Sequence, residues 1–169
     1  MRLFIALEPS AGFRLALQYV QEQLRRAGIE GRYLEMDNLH MTLAFIGMWP
    51  TAVTDILPAV QEPFSVTLSH VGMFSKARVV WAGIEPSHAL EQLAGRVRDR
   101  LDAEEIPFDR QPFYPHITLI RKPVPMDEDV LRRIQVPSVS MTVRDVCLYE
   151  SVHEACGMRY TVIGRSRSD

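Results

Sequence analysis

The feature that most constrains this chain is a four-residue phrase written twice. His40-Met41-Thr42-Leu43 stands inside NLHMTLAFIG, and His116-Ile117-Thr118-Leu119 stands inside YPHITLIRKP, 76 residues further along a chain of 169. Both copies lie in apolar runs bounded by Gly or Pro, which read as strands. Alternate residues of a strand point to one side. His40 and Thr42 therefore share a face, with Met41, Leu43 and Phe45 on the other. His116 and Thr118 repeat this, opposite Ile117 and Leu119. The apolar set wants a core, and the His/Thr set is left for a groove. A lone histidine in a strand is usually a hydrogen-bonded residue with no chemical role, because buried polar groups demand partners. Meeting that demand at the same place in both halves is easier to explain if the groove has a use.

The segments around the phrases repeat as well. RLFIALE predicts a buried strand over 2–8. Ser10 then caps an amphipathic helix carried by Phe13, Leu17, Val20, Leu24 and Ala27 and closed by Gly28. EGRYLEM is a short strand, and the first phrase ends its own strand at Gly47. Residues 51–61 read as a short helix with Thr51 as cap. PFSVTLSHVG and ARVVWAGI are strands. Pro86-Ser87 starts a second long helix with Leu90, Leu93, Val97 and Leu101 as its stripe, and the second phrase follows it. A short helix at 127–134 carries Asp127, Glu128 and Asp129 in its first turn, the favourable end for acids. SVSMTVRDVCLYE and MRYTVIG close the chain as strands around a loop holding Gly157, and the tail RSRSD frays. Each half is thus a long helix followed by a His-x-Thr strand. The expected fold is α+β, a single domain over 1–169 built as two pseudo-symmetric lobes with one phrase each.

Composition narrows the function classes. A net charge of −2 argues against a large footprint on duplex nucleic acid, though not against a nucleotide or an RNA end. Cys147 and Cys156 form neither a CxxC nor a zinc pattern and read as reduced thiols. The apolar run at the N-terminus is short for a signal peptide, and none is long enough to cross a bilayer. A soluble cytoplasmic protein, a monomer with no membrane partner, is the expectation. No G-x-S-x-G, P-loop or G-x-G-x-x-G is present. Two histidines are too few for a structural zinc, so no metal and no cofactor is expected. His70 reads as a partly buried, hydrogen-bonded strand end, His88 as a solvated helix start, and His153 as a loop residue. Cys147 reads as core, and the acidic cluster 102–109 as a solvated helix end.

Two imidazoles facing across a groove suit proton transfer. With a reference pKa near 6.5, one can take a proton from water while the other gives one to a leaving oxygen. Thr42 and Thr118 can donate to phosphate oxygens, and Arg121, closing the second phrase, can neutralise them through a planar fork. Strict alternation puts Arg121 on the core face. It reaches the groove only if the strand ends or bulges there, and Pro123 makes an end plausible. Tyr33, Phe74 and Tyr114 are candidates for stacking on a base.

MRLFIAL, DNLHMTLAFIG, ARVVWAGIEP, PFYPHITLIR and RYTVIG, in this order and spacing, resemble the two-histidine (2H) phosphoesterase superfamily, and within it the RNA 2′,3′-cyclic phosphodiesterases, historically called 2′-5′ RNA ligases. The resemblance covers nearly the whole chain. It implies a bilobal α+β fold with a groove between two antiparallel sheets and helices outside. It implies metal-independent opening of a 2′,3′-cyclic phosphate, at an RNA 3′ end or on a small nucleotide, to a 2′-phosphate. His40 and His116 match the catalytic pair, Thr42 and Thr118 the phosphate-binding threonines, and Arg121 the arginine after the second motif. The resemblance leans to His40 as acid towards O3′ and His116 as base for water. RYLEMDN and GMFSKAR depart from the family pattern at positions that would line a base pocket. Two other readings stay open: joining of RNA ends through a 2′-5′ linkage at the same groove, and a non-catalytic nucleotide- or RNA-end-binding module.

Overall fold

The computed structural model describes residues 1–166. Its elements run β1 (Arg2–Leu7), α1 (Ala11–Arg26), β2 (Arg32–Tyr33), β3 (Met41–Met48), β4 (Phe64–Phe74), β5 (Val79–Ile84), α2 (His88–Ala103), β6 (His116–Arg121), β7 (Ser140–Val143), β8 (Cys147–Glu154) and β9 (Gly157–Arg165), with short 3-10 turns at Met36–Asn38, Thr54–Ile56 and Glu128–Arg133. The strands form two antiparallel sheets, one ordered β3-β1-β8-β9 and the other β2-β6-β5-β4-β7. The fold is α+β, with one His-x-Thr strand in each sheet.

The helices form where expected. Ser10 Oγ accepts from the Phe13 amide at 3.2 Å, and Ser87 Oγ from the Leu90 amide at 3.2 Å. Gly28, in the left-handed region at φ 84°, ends α1 by donating back to Arg25 O. Phe13, Leu17, Val20 and Leu24 of α1 and Leu90, Leu93, Val97 and Leu101 of α2 are buried in one core with Leu3, Ile5, Leu43, Val80, Ile117 and Leu119 from both sheets. A second, smaller cluster of Phe4, Ala6, Cys147 and Tyr149 lies on the opposite face of the first sheet.

The units β1-α1-β3 and β5-α2-β6 repeat one plan, and they share an irregularity. Between β1 and β3, Ala6 pairs with Thr42 and Ile5 with Ala44, so Leu43 is an extra residue. Between β5 and β6, Trp81 pairs with Thr118 and Val80 with Ile120, so Leu119 is extra. The leucine of each phrase is a β-bulge. Each bulge carbonyl is held by the helix of the other unit. Gln21 of α1, buried, donates Nε2 to Leu119 O at 3.1 Å and to Leu34 O at 2.9 Å. Arg98 of α2 donates Nε to Leu43 O at 3.2 Å and a terminal nitrogen to Gln111 O at 2.8 Å. Gln21 and Arg98 are each the eleventh residue of their helix.

Four sequence expectations are corrected. Residues 51–61 hold only the 3-10 turn Thr54–Ile56, because Pro58 denies an amide to a longer helix and holds Leu57 extended at ψ 124°. The acids at 127–129 start a 3-10 rather than an α segment, with Asp127 accepting from the Asp129 amide. SVSMTVRDVCLYE is two strands in different sheets, since β7 pairs with β4 and β8 with β1. At the tail, Arg165 completes β9 and buried Ser166 exchanges bonds with Val146, its amide donating to Val146 O and its Oγ accepting from Val146 N, both at 2.8 Å. Residues 167–169 of that tail lie outside the described residues.

Candidate active site

The bulge settles where Arg121 points. His116 pairs with Gly83, Thr118 with Trp81 and Arg121 with Val79, alternate residues of β5 that share a face. The extra residue at 119 shifts the phase of β6, so Leu119 and Ile120 are both buried and Arg121 rejoins the His/Thr face. The strand does not end before Arg121; it bulges. The same bookkeeping in β3 puts Phe45, opposite Phe4, on the face of Thr42, opposite Ala6. Phe45 is therefore the counterpart of Arg121, and the two sides of the groove differ: one closes on a cation, the other on a ring.

Both imidazoles are oriented in one way. His40 Nδ1 lies 2.7 Å from Asn38 O, and His116 Nδ1 lies 2.6 Å from Tyr114 O, in each case the carbonyl two residues back. A carbonyl only accepts, so each Nδ1 carries hydrogen and each Nε2 is the nitrogen left free. His40, half-buried, sits among Phe4 at 4.7 Å, Tyr160 edge-on at 5.1 Å and Tyr149 at 5.7 Å between ring centroids. This burial pushes its pKa down to about 4, and the nearby positive charges of Arg121 and of a protonated His116 push the same way against the Asn38 carbonyl. Burial also lowers His116, again with Arg121 adding to it. The two rings and Arg121 thus lie within one another's field.

The His116 side is aromatic too. Phe74 packs edge-on to His116 at 5.0 Å, Trp81 edge-on at 6.3 Å, and Phe74 packs edge-on to Tyr114 at 5.5 Å. Trp81 can lie flat on its sheet because Gly72 has no side chain: a Cβ there would meet Trp81 Cζ2 at 2.4 Å. A cavity of about 650 Å³ opens beside this cluster, lined by Thr42 and Phe45 from the first sheet and by Phe74, Arg98, Tyr114 and His116 from the second half. Phe74 is half-buried and Tyr114 is 49% exposed at its rim. Thr42 and Thr118 are both half-buried.

Tyr33 is not brought here. It pairs with core-facing Ile120, donates its hydroxyl to Ile29 O at 2.6 Å and carries the Arg25 guanidinium 4.3 Å over its ring. Arg25 and the core take the faces that a base would need. The other histidines differ in part from expectation. His70 is exposed and lies edge-on to Trp81 at 5.3 Å, His153 is in β8 rather than a loop, and His88 is exposed at the start of α2. Cys147 is buried, which pushes its thiol up to about 12 and leaves it no nucleophile at neutral pH. Among the described residues no group of three or more His, Cys, Asp or Glu could hold a metal ion, and no helix is long and apolar enough to cross a membrane.

Sequence reasoning missed Asn38, Tyr160 and Arg98, and it put Phe45 on the core face with Met41 and Leu43, where the bulge at Leu43 turns it to the face of Thr42 instead. Asn38 stood two places before a histidine, but its partners lie on β9, and no local pattern reports that.

The sequence model of the 2′-5′ RNA ligase superfamily matches residues 14–154. The RNA 2′,3′-cyclic phosphodiesterase of Escherichia coli K12 is 32% identical over 145 residues, 80% of this chain and 78% of that protein. The protein of that name from Archaeoglobus fulgidus is 30% identical over 165 residues, 90% and 92% of the two chains. The crystal structure of E. coli LigT in its apo form superposes with a TM-score of 0.78 at 30% identity, covering 97% of this chain and 95% of that one. LigT complexed with 3′-AMP gives 0.73 over the same shares. With a match that spans both histidine strands and most of each relative, this chain belongs to the 2′-5′ RNA ligase superfamily.

Proposed function

We propose that this protein opens 2′,3′-cyclic phosphates at RNA or nucleotide ends to 2′-phosphates, with the two histidines as acid and base. The observation that carries the reading is the twinned geometry of His40 and His116: each Nδ1–H is bound to a carbonyl, and each Nε2 is free for proton transfer. Relatives named RNA 2′,3′-cyclic phosphodiesterase support the substrate class.

In the proposed reaction the cyclic phosphate sits between the two phrases. Thr42 and Thr118 donate to its non-bridging oxygens, and Arg121 neutralises the charge that grows on them in the transition state. Water reaches His116 from the cavity side. His116 Nε2 takes one water proton as the oxygen attacks phosphorus. The P–O3′ bond breaks, and His40 Nε2–H gives its proton to O3′. The net change is addition of one water, and the proton left on His116 returns to His40 through solvent. His40 suits the donor role because its apolar cage makes the cation a strong acid, and the negative phosphate restores the proton that the empty site disfavours. Phe74 and Tyr114 offer faces for the base. Both motifs come from one chain, so a monomer suffices. No step is routed through a metal.

The test is to incubate the protein, in EDTA, with an RNA oligonucleotide ending in a 2′,3′-cyclic phosphate and to identify the product. A 2′-phosphate is expected. A 3′-phosphate would refute the leaving-group assignment, a 2′-5′ joined product would indicate ligation, and binding without turnover would make the chain an RNA-end-binding module.

A further inference from the structure

Asn38 takes no part in the reaction above, yet its amide and its carbonyl are all committed. Its Nδ2 donates to Met158 O at 3.0 Å, and its Oδ1 accepts from the Tyr160 amide at 3.1 Å. Met158 and Tyr160 are alternate residues of β9, an edge strand of the first sheet. These are the two bonds that a neighbouring strand would make to that edge, so the amide stands in for one residue of a missing strand. The same residue's backbone carbonyl is the acceptor for His40 Nδ1. Tyr160, gripped through its amide, sets its ring edge-on to His40 and, at 5.4 Å, to Phe4. The 3-10 turn Met36–Asn38 is thereby pinned to a strand 120 residues away, at the point from which His40 is aimed.

We propose that Asn38 is the positioning residue of His40: its amide, clipped to the edge of β9, holds in place the carbonyl that fixes the Nδ1–H tautomer and points Nε2 at the phosphate. This rests on the reading of His40 as the proton donor. The other histidine is held differently. Its carbonyl partner Tyr114 lies between Pro112 and Pro115, whose fixed φ stiffens the loop without a side-chain clip. Without its clip, the Asn38 carbonyl is free to move. His40 then carries its single proton on either nitrogen, and a neutral ring with Nδ1 bare presents Nε2–H in the wrong state of the cycle. A misplacement of about 1 Å in a proton-transferring group costs about 100-fold in rate.

Asn38→Ala removes the clip. Asn38→Asp keeps an acceptor for Tyr160 but cannot donate to Met158 O. Two readouts apply to both variants: ¹⁵N chemical shifts of the His40 and His116 rings, and kcat and KM on a nucleoside 2′,3′-cyclic phosphate. In both variants His40 is expected to leave the pure Nδ1–H tautomer while His116 keeps it, with kcat down about 100-fold and KM within about threefold of wild type. A folded variant with an unchanged His40 tautomer and near-normal kcat overturns the proposal, as does a shift of His116 as large as that of His40. If Asn38→Ala does not fold, Asn38→Asp decides on the same readouts; failure of both to fold makes the clip a purely structural element and also overturns it. Wild-type protein that opens no cyclic phosphate refutes the proposed function instead, and the ring spectra still decide whether Asn38 orients His40.

Discussion

Acid should weaken this fold through His40 in a measurable and separable way. The imidazole titrates near 6.5 in an unfolded chain and near 4 in its aromatic cage. Between those values the unfolded state holds a proton that the native state lacks, so lowering the pH draws the chain towards unfolding. The contribution is fully present above about pH 6.5 and is lost as pH falls to about 4. At about 1.4 kcal/mol per pH unit the whole window amounts to roughly 3 kcal/mol, of which the interval from pH 7 to pH 5 covers about 2 kcal/mol. Urea unfolding of wild type and His40→Asn at both pH values isolates this part, since carboxylates and the other histidines titrate in both proteins and cancel in the double difference. Wild type should lose about 2 kcal/mol more than the variant between pH 7 and pH 5. Equal losses would mean that His40 is as easily protonated in the folded protein as outside it, and the caged-imidazole argument would be refuted.

Other outcomes follow from the same geometry. Binding of a nucleoside 2′-phosphate at pH 7 should take up protons, because the anion opposes the burial and the Arg121 charge that keep both rings neutral; calorimetry in buffers of different ionisation enthalpy reads this, and buffer-independent heats would contradict it. Arg121→Lys should lower kcat/KM by about 10- to 100-fold with little change in the urea midpoint, since an ammonium cannot replace the planar fork on a phosphate. Gly72→Ala should cost about 1–3 kcal/mol and shift the Trp81 fluorescence, because the new Cβ would fall 2.4 Å from the indole; an unperturbed spectrum would show that the ring has room. Gln21→Leu should cost about 1–3 kcal/mol in urea unfolding, because Leu34 O loses its side-chain donor while Leu119 O keeps only the Leu34 amide.

The two phrases, the capped helices and most strands were legible in the sequence because they rest on local rules: period, caps and breakers. What stayed hidden depends on partners distant in the chain. Strict alternation alone puts Arg121 on the core face, because the extra residue at Leu119 that turns it to the groove is defined only by its pairing with β5. Residues 51–61 carried a helical pattern in TAVTDILPAVQ, and Pro58 overruled it. Asp145 lies in one apolar-alternating run, yet the chain changes sheets there, which only the pairing partners decide. Tyr33 had the right chemistry for a base and the wrong side of the sheet. His40 and His116 stand out in the sequence because the same phrase is written twice.

The exchange of helices between the two units has a consequence for how the protein can be divided. Leu43 O accepts from Arg98, and Leu119 O accepts from Gln21 and from the Leu34 amide at 3.0 Å, both outside its own unit. Neither repeat holds what it needs to finish its own strand. A chain severed between the repeats would yield halves that could each complete a bulge only by borrowing a helix from a second copy, as in a swapped dimer. Each long helix therefore braces the histidine strand of the other unit.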